Sequence, residues 1–146
     1  MRNSKLQKSG ISNVQLVVDT SFWIDFVRQR LSAAEALLIE DALREEGAIM
    51  PQLVWLELTV GLRSPAEQRF LREVRSVCRW EPLSESDGAE AEKLAEGLRK
   101  QGVVLAASDL LILTVARRLG AGLLHHDEDF TRALKLPEFA RLRVSD

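Results

Sequence analysis

Two rhythms of apolar residues alternate along the chain. VQLVVD (14–19) is a short β-branched run that stops at a carboxylate, and it predicts a buried strand. TSFWIDFVRQ then turns helical, with Thr20 or Ser21 as its N-cap. SAAEALLIEDALREEG (32–47) is amphipathic. Ala36, Leu37, Ile39 and Leu43 form its apolar side, and Gly47 is a natural stop. AIM (48–50) predicts a second strand, and Pro51 opens a helix through QLVWLELTVGLR. SPAEQRFLREVRSV (64–77) begins with Ser-Pro, a good N-cap and N1 pair. CRWEP predicts a third strand, and Ser84 to Gln101 a charged helix with pairs at helical spacing. DLLILTVARRLG (109–120) is a largely apolar helix ending at Gly120. AGLLHHD is a buried strand running into a polar loop, DFTRALKL a short helix, and RLRVS a last strand.

Strands alternating with helices predict an α/β fold on a central, mainly parallel sheet. The pattern gives one domain over residues 14–146. Residues 1–13 are polar and basic, without an apolar signal core, and read as a flexible N-terminal tail. No apolar run reaches the length of a membrane span. Composition is ordinary for a globular chain, with 46% hydrophobic and 29% charged residues, so wholesale disorder is excluded. A net charge of −2 announces no global positive field, yet acids gathered at one site would offset a local basic rim. The single cysteine, Cys78, rules out an internal disulfide and a cysteine-based zinc site; it reads as a buried small apolar residue in an intracellular, cytoplasmic protein.

Ligands of open α/β sheets bind beyond the C-terminal strand ends. Asp19 follows the first strand directly, and Asp127 follows the AGLL strand. Glu57 lies in a helix that is apolar almost all round, where a carboxylate is costly unless paired. Asp109 opens a helix whose next residues are Leu110, Leu111, Ile112 and Leu113. Glu35, Glu40, Glu45, Glu67, Glu73, Glu90, Glu92 and Glu96 instead sit in charged stretches that read as solvated faces. Clustered carboxylates repel and raise one another's pKa. A hard cation such as Mg²⁺ or Mn²⁺, which prefers oxygen ligands, removes that cost and can promote phosphodiester cleavage.

Each acid also has a plainer reading. Asp19 would cap the following helix, Asp109 would sit on the helix dipole, Glu57 would pair with Arg63, and Asp127 would be a loop carboxylate. Asp129, before Phe130, reads first as an N-cap and second as a metal contact. Asp25 reads as a solvated helix acid. His125 and His126 invite a catalytic or ligand role, but adjacent residues after a strand do not readily face one site.

VVDTSFWID, LELTVGL, ASDLLILTVAR and LLHHDEDF, in that order and spacing, resemble the PIN domain. More narrowly they resemble VapC-type toxins of bacterial type II toxin–antitoxin modules, over roughly residues 14–146. The resemblance implies a three-layer α/β/α domain and a Mg²⁺- or Mn²⁺-dependent endoribonuclease. It assigns the family's acids to Asp19, Glu57, Asp109 and Asp127, with Asp129 as a further member. It also implies that Thr20 or Ser21 orients Asp19 or a metal-bound water. His125 stands where the family often has Thr or Ser, which bears on the fine geometry beside Asp127. Homodimerisation, an RNA substrate and a cognate antitoxin are implied as well. Trp23, Phe26 and the Leu53–Leu62 helix read equally as apolar surfaces for such contacts and as ordinary core, and Arg28, Arg30, Arg63, Arg117 and Lys100 are candidates for phosphate contact whose default reading is solvated surface. Two other classes stand beside this one. A receiver-like phosphoacceptor domain needs an Asp at the third strand end and a later lysine, which CRWEP and its successors lack. A non-catalytic PIN-like binding module would not need the acids. No G-x-G-x-x-G follows a strand, so a dinucleotide fold has no support.

Overall fold

A computed structural model describes residues 14–144. The tail expected at residues 1–13 lies outside the described residues. β1 (Leu16–Val18), β2 (Ala48–Pro51), β3 (Arg79–Glu81) and β4 (Gly122–Leu124) form an all-parallel sheet in the order β3-β2-β1-β4. Parallel neighbours need crossovers. The helices supplying them are α1 (Thr20–Val27) and α2 (Ala33–Arg44), α3 (Gln52–Gly61) and α4 (Pro65–Val77), and α5 (Asp87–Lys100) and α6 (Ala107–Leu119). α7 (Glu128–Leu134) and a 3₁₀ segment (Pro137–Leu142) follow β4.

Every residue of β1 and β2 is buried. Successive strand side chains point to opposite faces, so both faces of the sheet are covered. That is the three-layer arrangement the family resemblance implies, on the parallel sheet expected from the alternating rhythm. The chain steps outward from β1 to β2 and β3, then crosses back to place β4 on the other side of β1. The order thus reverses between β1 and β4, the kind of switch point beyond whose C-terminal strand ends open α/β sheets bind their ligands.

Local chemistry sets the element ends. Ser32 and Ser64 each close a capping box, with Glu35 and Glu67 respectively, and Pro65 occupies the first turn as expected. Gly120 takes the left-handed C-cap of α6 at φ 63°. Gly47 plays a different part from the helix stop expected of it. Glu46 adopts the positive φ of 57°, while a Cβ at Gly47 would lie 2.3 Å from the Val14 carbonyl oxygen. Close backbone approach, not backbone handedness, calls for glycine there. The last strand, expected over RLRVS, shrinks to one bridge between Leu123 and Arg143, because the 3₁₀ segment runs through Leu142.

An ionic lock fixes α6 against the sheet edge. Arg118 donates from Nε and Nη2 to Asp87 at 2.9 and 3.1 Å, and from Nη1 to Glu81 at 2.6 Å. Asp87 is only 1% exposed and also accepts from the Ser84 N–H at 2.8 Å. The helix that carries Asp109 is therefore tied to both α5 and β3.

Candidate metal centre

Asp19 joins β1 to α1. Its N–H donates to the Leu124 carbonyl at 2.9 Å, one bond beyond the β1–β4 ladder. It occupies the N-cap position that Thr20 or Ser21 was expected to take, yet its side chain makes no capping bond. The carboxylate is 6% exposed and accepts from Ser21 Oγ at 3.0 Å. Burial pushes its pKa up. The Ser21 hydroxyl and the Thr20 backbone oppose that shift, and the charges of Glu57 and Asp127 add to it.

Glu57 reaches the same region from α3, which packs on α1. It is half-buried, and Thr20 Oγ1 donates to its Oε1 at 2.7 Å. The two hydroxyls thus divide the work: Ser21 holds Asp19 and Thr20 holds Glu57. Arg63 donates to the Val60 carbonyl instead, so it is not the partner of Glu57. α3 is also less enclosed than its sequence suggested. Val54 and Leu58 are buried, but Leu56 is 51% and Val60 67% exposed.

Asp109 lies in the first turn of α6. Its carboxyl is pushed up from 3.8 to about 6, first by burial and then by the charges of Asp19, Asp127, Glu57 and Asp129. Asp127 caps α7, accepting the Asp129 N–H at 2.8 Å. The N-cap role expected of Asp129 therefore belongs to Asp127, because the helix starts at Glu128, two residues before the Phe130 start that a cap at Asp129 would give. Asp129 turns its carboxylate to Arg132.

Acids from four separate segments thus act on one another at the C-terminal ends of β1 and β4. Among the described residues, no lysine or arginine pairs with Asp19, Glu57, Asp109 or Asp127. Nor do any three acidic, histidine or cysteine side chains among them already close on a common point at ligand distance. The donors are all oxygen, and the patch is strongly negative. This set suits a hard divalent cation and not a soft one.

The histidines separate. His125 Nδ1 accepts the Asp127 N–H at 3.1 Å, and its ring packs on Phe130 at 5.3 Å between centroids. Burial lowers its pKa, against the pull of Asp127. His126 turns away to Asp25 and Glu35. Burial acts to lower its pKa, but the two carboxylates prevail and raise it. Neither Asp25 nor Glu35 is therefore the free solvated acid the sequence suggested, and a histidine after a strand gave no signal of this pairing.

Several other expectations change. Trp23 is 1% exposed and belongs to the core, not to a contact surface. Phe26 is half-buried against Phe70, at 5.7 Å between centroids. Of the phosphate candidates, Arg28 is bonded to Glu67 at 3.1 Å. Arg117 lies over the Phe139 ring, about 12 Å along α6 from Asp109 at the usual helical rise. Cys78 is partly buried, and burial pushes its thiol up to about 12, so it is unreactive at neutral pH. No helix among the described residues is long and apolar enough to cross a membrane.

A family model described as PIN domain matches residues 16–136. The chain is similar in fold to VapBC2 from Rickettsia felis bound to a DNA fragment from its promoter. That match has a TM-score of 0.70 and 18% identity, over 86% of this chain and 95% of the other. It is also similar to a toxin–antitoxin complex from Klebsiella pneumoniae, with a TM-score of 0.67 and 18% identity over 85% and 94% of the two chains. A third likeness is to FitAcB from Neisseria gonorrhoeae, with a TM-score of 0.67 and 15% identity over 88% and 93%. At such identities the likeness is one of fold.

Proposed function

The chain belongs to the PIN-domain family, and from that premise we propose that it is a Mg²⁺- or Mn²⁺-dependent endoribonuclease acting as the toxin of a toxin–antitoxin pair. The observation that carries the reading is the uncompensated cluster itself. Asp19 is buried beside the charges of Glu57 and Asp127, Asp109 is pushed up by burial and by the charges of Asp19, Asp127 and Glu57, and none of the four pairs with a lysine or arginine among the described residues. A fold has no structural reason to gather such charges, and a cation removes the cost.

Asp19, Asp109 and Asp127 would hold the ion, with Glu57 beside them and Asp129 as a minor member. The ion, when bound, would supply Lewis acidity at a phosphodiester and lower the pKa of water nearby. The chain's own residues do the rest. Ser21 fixes the Asp19 carboxylate, and Thr20 turns Glu57 toward the site, where its free oxygen can accept a proton from an attacking water. The Asp127 cap and the His125 contact hold the β4–α7 loop in register. The solved structures of similar fold are named as toxin–antitoxin complexes, which supports a cognate antitoxin as partner. A homodimer in the cytoplasm, acting on RNA, completes the proposal.

The test uses purified protein and end-labelled RNA with Mg²⁺ or Mn²⁺. The proposal expects cleavage that EDTA abolishes and that Asp19→Asn reduces at least a hundred-fold. Cleavage that survives EDTA, or an Asp19→Asn protein as active as wild type, overturns it.

A further inference from the structure

His126 is not among the acids of the proposed site, yet it is held on three sides. Its Nδ1 lies 3.2 Å from Asp25 Oδ2 on α1, and its Nε2 contacts Glu35 Oε2 in the first turn of α2. The ring packs on Phe22, with centroids 4.6 Å apart. Phe22 is 1% exposed and so forms a fixed wall. Glu35 is itself anchored, because its other oxygen accepts the Ser32 N–H at 3.0 Å. Asp25 rides on α1, the helix that starts at Asp19. Ionised carboxylates only accept, so each ring nitrogen that carries a proton donates to the carboxylate it faces.

His126 is the middle residue of the three that join β4 to α7. The strand end before it is fixed by the Asp19 N–H on the Leu124 carbonyl. The residue after it is Asp127. We propose that His126 is a positioning residue, pinning this loop to α1 and α2 so that the Asp127 carboxylate stays turned toward Asp19 and Asp109. The inference rests on the function proposed above, in which Asp127 helps hold a divalent cation. An outlying group that orients a ligand residue changes metal affinity by roughly 10- to 100-fold.

The alternative is a surface ion pair with no bearing on the site, and the two accounts differ in sign. Removing a positive imidazolium near a cation site would by charge alone strengthen cation binding. Removing a brace weakens it. Mn²⁺ affinity by titration calorimetry therefore separates them. His126→Ala is expected to bind Mn²⁺ about ten-fold or more weakly than wild type, and His126→Gln, which keeps a donor, to recover part of the loss. Equal or tighter binding by His126→Ala overturns the brace while leaving the metal reading intact. A wild type that takes up no Mn²⁺ overturns the proposed function and this inference with it. Hydrogen exchange on the metal-free proteins adds a second readout. The Asp127 and Asp129 amides are expected to exchange faster in His126→Ala, with the buried β1 amides of Val17 and Val18 still protected as a check that the fold persists. Unchanged exchange at Asp127 and Asp129 also overturns the brace.

Discussion

Replacing Asp109 by asparagine should make the metal-free protein more stable while abolishing its activity. The substitution keeps the shape of the side chain and removes its charge. Asp109 titrates near 6, against 3.8 for an ordinary aspartate. At roughly 1.4 kcal/mol per pH unit, that difference is at most about 3 kcal/mol, and solvent screening at this partly exposed carboxylate reduces it to about 2 kcal/mol. The sign follows from which state holds the proton more tightly. Below pH 3.8 the carboxyl is neutral in folded and unfolded chains alike. Between 3.8 and about 6 the unfolded chain ionises first, so native stability falls through that window and then levels off. Asparagine does not titrate, but partly burying its amide has its own cost of about 1 kcal/mol. The net gain at pH 8 is therefore about 1 kcal/mol, or a rise of about 2–4 °C in Tm for a chain of this size. The assay is thermal melting of both proteins in EDTA from pH 4 to pH 8. The gap should favour Asp109→Asn at high pH, close as pH falls, and turn slightly in favour of wild type near pH 4, where the charge no longer counts and the amide cost remains. Saturating Mn²⁺ should then reverse the order, since a ligand at a hundred times its Kd stabilises by about 2.7 kcal/mol. An Asp109→Asn protein less stable than wild type at pH 8 in EDTA, or a gap independent of pH, would refute the reasoning.

Other perturbations test the frame and the site separately. Arg118→Met strands the buried Asp87 carboxylate and should cost about 3–5 kcal/mol in urea unfolding; a loss under 1 kcal/mol would mean the lock is dispensable. The Arg118 and Ser84 partners hold the Asp87 carboxyl below its ordinary 3.8 despite burial. Its contribution is therefore present above that value and is lost as pH falls through the lower folded one, so the Arg118→Met penalty should shrink in strong acid. Gly47→Ala drives a methyl group against the Val14 carbonyl and should destabilise by about 2 kcal/mol or more, read by melting. Thr20→Val removes the hydroxyl that turns Glu57 without changing side-chain shape. It should lower kcat about ten-fold or more with Tm nearly unchanged, whereas normal kcat would remove Glu57 orientation from the account.

The fold was readable because its parallel strands are nearly all apolar and its helices carry their own start and stop signals, as at Ser64-Pro65 and Gly120. The four acids were readable for a related reason: each interrupts or borders an apolar stretch at a strand end or on a core helix. What escaped depends on contacts between residues far apart in the chain. His126 meets partners 91 and 101 residues away, and Arg118 meets partners 31 and 37 residues away. No local pattern encodes such pairs. Gly47 and Asp129 were misread for the opposite reason. A terminal glycine and an acid before a helix each have a common local role, but tertiary approach of Val14 decided the first and a helix start two residues earlier, capped by Asp127, decided the second.

Asp19, Glu57, Asp109 and Asp127 are proposed to share one divalent cation. Crystals grown with Mn²⁺ and measured at the manganese absorption edge would locate it. An anomalous peak is expected within roughly 2.0–2.6 Å of carboxylate oxygens of Asp19 and Asp109, the usual range for hard cations on oxygen ligands. No peak at Asp19, or manganese bound only elsewhere on the molecule, would contradict it.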